Sequence, residues 1–338
     1  MCSQVEVLNH LDFTQSVIGK MNENPKQNWD VLFFQFDRGH LAEPFWRSVV
    51  NTSRSGGNVR VAVDDFSRHW VNGKSFDDHS DFYSKKMMEH KLELASELQD
   101  ADVDFRYLSK VGRLWQNHPI WKRVHIKTVI NDEEVWMGSA NLADECTSWV
   151  DSMVHIKSAN LAEQARQIYD LVYSEQTGPD LCLTFDGGKL LFDSGYRFGK
   201  SGIYDHAREM IDRATDKVRL ISPHIPDGSI VRCLQNAIKR DVDVAIVTSD
   251  PQRRLESTIE KYRLPTPIGN IPVLYNPDQR VHTKALLVKG YEGNQVLIGS
   301  HNLTSKSNYL RAQELSVFFN NNEQFEVIEK WATDTLGC

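Results

Sequence analysis

Short apolar runs alternate along the whole chain with longer segments in which apolar residues recur every three or four positions. The short runs predict buried strands, and the longer segments predict amphipathic helices. Strands that alternate with helices favour an α/β fold with a largely parallel or mixed sheet. The predicted strands are 31–36, 59–65, 103–108, 218–222, 242–248 and 271–275, and the predicted helices include Leu41–Asn51, Tyr83–Leu98, Leu161–Ser174, Tyr204–Ala214 and Ser229–Arg240.

The order of elements in the first half of the chain recurs in the second half. In each half a strand ends in polar residues (FFQFDRGH and LISPHIPDG), a helix follows, and a Val-rich strand then ends in Asp (VRVAVDD and VAIVTSD). Such self-similarity predicts two lobes of one fold. We place the boundary in SEQTGPD, which has the composition of a linker, so that the lobes are 1–178 and 179–338. The first lobe contains a predicted insertion of about residues 66–120.

Composition and charge restrict the class of protein only broadly. The 338 residues are 40% hydrophobic and 25% charged, which is typical of a globular protein. No apolar run approaches the roughly 18 residues of a membrane span, and the first residues do not resemble a signal peptide, so we expect a cytoplasmic protein whose membrane contact is at most peripheral. The five dispersed cysteines argue against a disulfide framework and a cysteine zinc site. The net charge of −7 argues weakly against a partner that needs a basic overall surface.

Two stretches share a polar pattern, VHIKTVINDEEVWMGSANL at 124–142 and VHTKALLVKGYEGNQVLIGSHNL at 281–303. Each begins with His and Lys two positions apart, a spacing that puts both side chains on one face of a strand. A turn and a second apolar run follow, and Gly-Ser-x-Asn-Leu then opens a predicted helix. The repeat therefore supplies an imidazole, an ammonium, an amide and a hydroxyl twice.

This set of groups suits attack on a phosphodiester. Imidazole is a nucleophile and proton carrier near neutral pH, and Lys and Asn side chains stabilise charge that develops on phosphate oxygens. Two histidines that face each other across a lobe interface would divide the reaction, one attacking phosphorus and the other protonating the departing alcohol. The scheme requires no metal ion or cofactor, and we predict none.

A third copy of the motif, VHIK at 154–157, is predicted to have no catalytic role. A single His-x-Lys is uninformative, and no Gly-Ser-x-Asn lies at the required distance beyond His155. On the predicted strand WVDSMVHIK, strand alternation directs His155 to the same face as Asp151 but about 13 Å further along. We therefore interpret His155 as an ordinary strand residue.

The paired motifs resemble the signature of the phospholipase D superfamily, which is His-x-Lys, four residues, Asp, and Gly-Ser-x-Asn downstream. In the second copy Lys289 stands where the family has Asp, and we predict that this position is structural. The stretch LISPHIPDGSIVRCLQNAIKRDVDVAIVTSD resembles cardiolipin-synthase-type members, so the likeness covers nearly the whole chain. The matching residues are His125, Lys127, Asp132, Gly138, Ser139 and Asn141 in the first copy and His282, Lys284, Gly299, Ser300 and Asn302 in the second.

The resemblance implies a mixed sheet flanked by helices in each lobe, a pseudo-twofold packing of the lobes, and an active site at their interface. It also implies a phosphohistidine intermediate without metal, with His125 as nucleophile and His282 as general acid and then base, or the reverse. The remaining implied site residues are Lys127, Lys284, Asn141 and Asn302 as phosphate ligands, Ser139 and Ser300 assisting them, and Asp151 and Glu314 as the acids that accept a hydrogen bond from each catalytic imidazole.

Three functions remain open for this core. A phospholipid substrate is favoured because both lobes lie in one chain, because of the likeness to phosphatidyltransferases, and because Trp115 and Trp121 precede His125, where they would form an apolar lip for acyl chains or a membrane surface. A nuclease that cuts DNA or RNA is the alternative, since bases also stack on aromatic side chains. A scaffold without catalysis is the third. No obligate protein partner is implied.

Overall fold

The structure, a computed structural model, describes residues 4–69, 82–110, 122–250 and 268–338. The first half of the chain forms one mixed sheet and the helices that cover it. Its elements are β1 (Gln4–Leu8), α1 (His10–Glu23), β2 (Asn28–Phe33), α2 (Ala42–Arg54), β3 (Asn58–Asp64), α3 (Phe66–His69), α4 (Phe82–Asp100), β4 (Asp104–Leu108), β5 (Thr128–Ile130), β6 (Glu134–Gly138), a 3₁₀ helix (Asp144–Ser148), β7 (Trp149–Val150), β8 (Met153–Lys157) and α5 (Ala159–Tyr173).

The second half of the chain repeats this plan with small differences. Its elements are β9 (Leu181–Phe185), β10 (Gly188–Asp193), α6 (Gly202–Asp212), β11 (Ala214–Ile221), α7 (Gly228–Ile238), β12 (Asp243–Ser249), β13 (Val273–Asn276), β14 (Arg280–Val281), β15 (Ala285–Gly290), β16 (Gly293–Gly299), α8 (Ser305–Leu310), β17 (Glu314–Asn320) and α9 (Asn322–Leu336).

The two large sheets have the same strand order. Among the described residues the first runs β1-β8-β6-β5-β2-β3-β4, and the second runs β9-β10-β17-β16-β15-β11-β12-β13, so that only β9 has no counterpart. In both sheets the Val-rich strands pair in parallel and the strands after the His-x-Lys segments pair antiparallel. The predicted α/β fold with two similar lobes and mixed sheets is confirmed.

Two helices lie between the sheets and join the lobes. Helix α5 packs on β2, β5 and β6 of its own lobe and on β9 and β10 of the other, while α9 packs on β16 and β17 and reaches β1. Helix α5 buries Leu161, Ala165, Ile168 and Val172 in a core cluster that contains residues of both lobes, because this spacing puts them on one face. Truncation of Ile168 to Ala would cost about 2–5 kcal/mol. Because the inner face of each sheet is covered by helices that also contact the other lobe, the lobes stabilise one another.

The predicted elements are present, with corrections at their ends. The helix predicted over Tyr204–Ala214 ends at Asp212, because Ala214 already begins the central strand β11. Within the predicted insertion at 66–120, β4 pairs in parallel with β3 as β13 pairs with β12, so β4 has a counterpart in the second lobe, and the bounds of the insertion stay a prediction. The boundary at 178/179 falls between α5 and β9, and the division into two domains stays a prediction.

Candidate active site

The two His-x-Lys segments meet at the junction between the lobes. Neither lies on a strand as predicted: His125 precedes β5 and His282 precedes β15, because the main chain of each turns to pair with the opposite lobe. The amide of His125 donates to the carbonyl of Gln313, and the amide of His282 donates to the carbonyl of Val150, each over 2.9 Å. These matching contacts follow the pseudo-twofold relation and bring the histidines to one site.

Each histidine is bound to an acidic residue of the other lobe. Nδ1 of His125 lies 3.0 Å from Oε2 of Glu314, and Nδ1 of His282 lies 2.7 Å from Oδ1 of Asp151. The side chains of Glu314 and Asp151 are 2% and 0% exposed, whereas those of His125 and His282 are 17% and 12% exposed. An ionised carboxylate only accepts hydrogen bonds, so Nδ1 carries the proton in each ring. The free Nε2 atom is therefore the reactive nitrogen of both histidines.

The predicted serines hold these acids. The Ser139 hydroxyl donates to Oδ1 of Asp151 over 2.6 Å, and the Ser300 hydroxyl donates to Oε2 of Glu314. Each serine oxygen also accepts the main-chain N–H of the residue that follows the acid, Ser152 or Leu315, which fixes the hydroxyl from both sides. Both hydroxyl groups thus already donate a hydrogen bond within the protein. The assistance of these serines in binding phosphate stays a prediction.

The two lysines are buried cations. Lys127 is 1% exposed and Lys284 is 2% exposed, and each ammonium donates over 2.5 Å to the carbonyl of the histidine two residues earlier. Burial lowers the pKa of Lys127 to about 8 and the pKa of Lys284 to about 7, against the attraction of Asp151 and Glu314. Since charges of both lobes act on each lysine, the four charged groups form one electrostatic unit.

Burial also sets the protonation of the histidines and acids. It lowers the pKa of His125 to about 4 and of His282 to about 3, although the paired carboxylates oppose the shift. Burial opposes ionisation of Asp151 and Glu314, yet the adjacent imidazoles lower the pKa of both carboxyls below their usual range. In the empty site at neutral pH the imidazoles are therefore neutral and the carboxyls are charged.

The asparagines of the motifs have unused polar atoms in this site. Oδ1 of Asn141 and Oδ1 of Asn302 are both buried without a hydrogen-bond partner. Buried polar atoms in folded proteins are almost always paired, so such atoms in a polar site point to a ligand or water. Among the described residues, no group of three or more His, Cys, Asp or Glu side chains is arranged to hold a metal ion.

The glycines of Gly-Ser-x-Asn permit a close approach of strands. A Cβ atom on Gly138 would lie 2.1 Å from the carbonyl oxygen of Ser152, and one on Gly299 would lie 2.3 Å from that of Leu315. Only glycine fits there, and the approach brings each Ser and Asn to the site. The predicted helix after the motif is wrong for the first copy, where the 3₁₀ helix Asp144–Ser148 follows, while α8 begins at Ser305 in the second.

The third copy of the motif, VHIK at 154–157, lies outside the candidate active site. His155 is buried on β8, where Nε2 lies 3.1 Å from Oε2 of Glu134 and the ring stacks on Trp136 at 4.5 Å. The predicted strand WVDSMVHIK is interrupted at Asp151, which leaves the sheet to contact His282. Trp115 and Trp121 lie outside the described residues.

At the position where the family motif has Asp, the two lobes form ion pairs of opposite polarity. Asp132 contacts Arg166 of α5 over 3.2 Å, whereas Lys289 contacts Glu329 of α9 over 3.1 Å. Arg166 and Glu329 occupy equivalent helix positions, eight residues after the caps Ser158 and Asn321. The Asp-to-Lys change at 289 is thus matched by an Arg-to-Glu change across the contact.

Asp64 is a site residue that the sequence patterns did not identify. Its buried carboxylate accepts the N–H of Val124, directly before His125, over 2.6 Å, and pairs with Arg123 over 3.1 Å. In the second lobe the Ser249 hydroxyl accepts the N–H of Val281, directly before His282, over 2.8 Å. The repeated polar ends of VRVAVDD and VAIVTSD were the available signal for this residue.

Comparisons with known proteins agree with this fold. Residues 207–335 match the family model described as cardiolipin synthase, PLD-like domain. Phosphatidylserine synthase from Haemophilus influenzae Rd KW20 is similar in structure, with a TM-score of 0.69 and 13% identity over 98% of this chain and 86% of that one. Polyphosphate kinase from Porphyromonas gingivalis has a TM-score of 0.63 and 11% identity over 96% of this chain, which spans 46% of the kinase. The search of curated protein sequences returned no match.

Proposed function

We propose that this member of the phospholipase D superfamily is a phosphodiesterase that acts through a phosphohistidine intermediate and transfers or hydrolyses phosphatidyl groups of phospholipids. The observation that carries the proposal is the crosswise pairing of two histidines with buried carboxylates, His125 with Glu314 and His282 with Asp151. This pairing leaves two Nε2 atoms free at one junction, as a two-histidine displacement at phosphorus requires.

The first step of the proposed reaction forms the intermediate. The Nε2 lone pair of His125 bonds to phosphorus while the bond from phosphorus to the departing alcohol breaks. The alcohol oxygen takes the proton carried by Nε2 of His282. That proton is available in the complex because the negative phosphate raises the pKa of His282 above its value in the empty site.

The second step regenerates the enzyme. His282, now neutral, accepts a proton from water or from an alcohol as its oxygen bonds to phosphorus, and the bond from phosphorus to Nε2 of His125 breaks. Water gives hydrolysis and an alcohol gives transfer. The exchange of roles between the two histidines gives an equivalent scheme, in which His282 is the nucleophile.

The remaining groups stabilise negative charge on the phosphate. In this scheme the ammonium groups of Lys127 and Lys284 contact the non-bridging oxygens, and their cations supply the charge that a metal supplies in other phosphodiesterases. Burial strengthens this attraction because the low dielectric of the site screens it weakly. The Nδ2 groups of Asn141 and Asn302 donate to the same oxygens in this scheme.

A phospholipid is the proposed substrate because of two likenesses. The matching family model is described as a cardiolipin synthase domain, and one structural neighbour is a phosphatidylserine synthase. Among the described residues no helix is long and apolar enough to cross a bilayer, so the proposal includes a peripheral approach to the lipid. Nucleic acid is the alternative substrate, and a scaffold without catalysis is the third possibility.

The test is an assay in EDTA that offers labelled phosphatidylglycerol and a labelled single-stranded oligonucleotide in parallel. We expect lipid turnover that is lost in His125→Ala and in His282→Ala, and added glycerol then separates transfer from hydrolysis. His155→Ala is the matched control, because this histidine belongs to the third copy of the motif. Cleavage of the oligonucleotide alone would replace the lipid proposal with the nuclease, and no turnover by a folded protein would refute both.

A further inference from the structure

A cleft of about 320 Å³ lies at the junction of the lobes, beside the candidate active site. Its wall includes Lys110, Lys122 and Arg123 of the first lobe and Tyr196 and Arg311 of the second. The histidines, lysines and asparagines of the two motifs do not line it. The cleft is therefore a neighbouring cavity, separate from the site that holds the scissile phosphate.

Positive charge predominates in this cleft, although the chain as a whole carries a formal charge of −7. Four basic residues line it against one acidic residue, Glu175. The carboxylate of Glu175 accepts the N–H of Ser109 over 2.8 Å, and Arg123 pairs with Asp64 behind the wall. Lys110 and Lys122 are exposed at the surface of the cleft. An anionic group of a ligand fits this arrangement.

Backbone strain is concentrated around the cleft. Among the described residues, seven that are not glycine have a positive φ, and four of them line this one cavity. Their φ angles are 54° at Ser109, 53° at Lys122, 51° at Glu175 and 58° at Arg311. Such conformations cost about 1–3 kcal/mol each and tend to persist at binding sites, where the surrounding structure holds them. Here Arg311 is held by hydrogen bonds to main-chain carbonyls, including that of Gly195 over 2.7 Å.

The inner wall of the cleft continues directly into the catalytic residues. Val124 and Gln313 line it, and they immediately precede His125 and Glu314. Lys122 is joined to the second lobe by its N–H, which donates to the carbonyl of Leu310 over 2.9 Å. A ligand held in the cleft therefore lies against the main chain that positions the first histidine and its acid.

One exposed aromatic side chain lines the cleft and two more lie close to lining residues in the chain, and the three together are called the aromatic rim. Tyr196 lines the cleft and is 55% exposed. Phe198, two residues further on, is 61% exposed and makes an edge-to-face contact at 5.4 Å with Tyr309, which is 52% exposed. Aromatic rings beside basic side chains are typical of surfaces that contact the interface of a lipid bilayer. The rim thus favours an anionic lipid over a soluble anion.

We propose that this cleft binds the phosphate group of an anionic phospholipid at a bilayer surface, next to the site of reaction. The inference rests on the proposed function, because it assigns the lipid surface from which the substrate is taken. Lys110, Lys122 and Arg311 contact the headgroup phosphate, and the aromatic rim contacts the interface. Attraction between the cleft and the headgroup is electrostatic, so it weakens as salt screens it.

The test measures binding of the inactive variant His125→Ala to vesicles by co-sedimentation. The vesicles are phosphatidylcholine alone or phosphatidylcholine with phosphatidylglycerol, and glycerol 3-phosphate is the soluble probe. We expect binding to the anionic vesicles that weakens with salt, and we expect Lys122→Glu to reduce the affinity about tenfold. The matched control is Lys26→Glu, the same charge reversal at an exposed lysine before β2, at the opposite end of the parallel strands.

Equal affinities of Lys122→Glu and Lys26→Glu for the anionic vesicles would overturn the proposal, as would absence of vesicle binding. Binding of glycerol 3-phosphate, or of an oligonucleotide, without binding of vesicles would assign the cleft to a soluble anion or to nucleic acid and would also overturn it. The result of this binding experiment does not depend on whether the enzyme turns over lipid. Vesicle binding that requires Lys122, in a protein that cleaves no lipid, would retain the cleft and refute the proposed function.

Discussion

The Nδ1 atom of His125 lies 3.0 Å from Oε2 of Glu314, although 189 positions separate the two residues in sequence. The pseudo-twofold relation repeats the contact between His282 and Asp151. Neither lobe holds a complete pair of histidine and acid, so each pair forms only when the lobes pack together. The helices between the sheets, which bury a core shared by both lobes, therefore also assemble the candidate site.

Glu314→Gln should lower kcat by roughly 100-fold, because the neutral amide no longer stabilises the positive charge that develops on His125. The substitution keeps the size of the side chain and leaves an oxygen for Ser300. The measurement is steady-state kinetics on the lipid substrate, with circular dichroism and thermal unfolding as controls of the fold.

Crosswise pairing also predicts which substitutions act together. In a single-turnover assay, Glu314→Gln should add little to the loss caused by His125→Ala, whereas Asp151→Asn should reduce the residual rate further because it acts on His282. The opposite pattern of coupling would show that each acid serves the histidine of its own lobe.

The activity of the free enzyme should fall as the pH rises through about 7. Burial lowers the pKa of Lys284 to about 7, and a lysine is cationic only below its pKa. Loss of this cation removes attraction for the phosphate, so kcat/KM should fall by about tenfold for each pH unit above that value. The check is the pH profile of kcat/KM between pH 5 and 9. Lys284→Arg keeps its charge over this range, so its profile should stay level through pH 7 and fall only above about pH 8, where Lys127 loses its proton. A wild-type profile that rises through pH 7 would contradict the assignment.

Asp64→Ala should lower both stability and kcat. The substitution leaves the Arg123 guanidinium buried without its carboxylate, which costs about 3–5 kcal/mol of the free energy of unfolding, and it releases the N–H of Val124 directly before His125, the proposed nucleophile. We expect kcat to fall about tenfold or more, with KM nearly unchanged, because a small displacement of the nucleophile slows the reaction.

Two variants separate positioning of His125 by Asp64 from a merely structural contribution. Asp64→Asn keeps an acceptor for the N–H of Val124 and should restore most of kcat while stability stays reduced. Ser249→Ala, at the equivalent position of the second lobe, leaves no buried charge and should cost less stability. Equal losses of kcat in Asp64→Asn and Asp64→Ala would argue against positioning.

Much of the fold followed from local patterns in the sequence. The Val-rich strands are buried on both faces and read as continuous apolar runs, and α5 and α7 have clear apolar faces, so their positions were predictable. The recurrence of polar strand ends and of Gly-Ser-x-Asn predicted the duplication. The residues that the two motifs share, including His125 and His282, were therefore predicted as candidate site residues from the repeated spacing.

The contacts between the lobes were not predictable from spacing. Strand alternation directs His125 and Lys127 to one face of a strand, but the main chain before β5 pairs with Gln313 instead of with its own sheet. Such pairing depends on how the lobes pack, which no local pattern encodes. The role of Asp64 was hidden for the same reason, because its carboxylate contacts a segment 60 positions away.

Lys289→Asp should reduce stability without changing the rate of catalysis. Lys289 lies 3.1 Å from Glu329, and both side chains are partly exposed, at 35% and 23%, so loss of the ion pair and the new repulsion should cost about 1 kcal/mol of the free energy of unfolding. The double variant Lys289→Asp with Glu329→Arg reproduces the polarity of Asp132 and Arg166 in the first lobe. It should recover only part of the loss, because Glu329 also pairs with Lys217 over 3.0 Å and the reversal breaks that contact. Denaturant unfolding of the two single variants and the double variant measures the coupling, and parallel assays measure kcat. A single Lys289→Asp variant that gained orders of magnitude in rate would show that the residue at 289 takes part in the chemistry, against the structural role that its contact with α9 indicates.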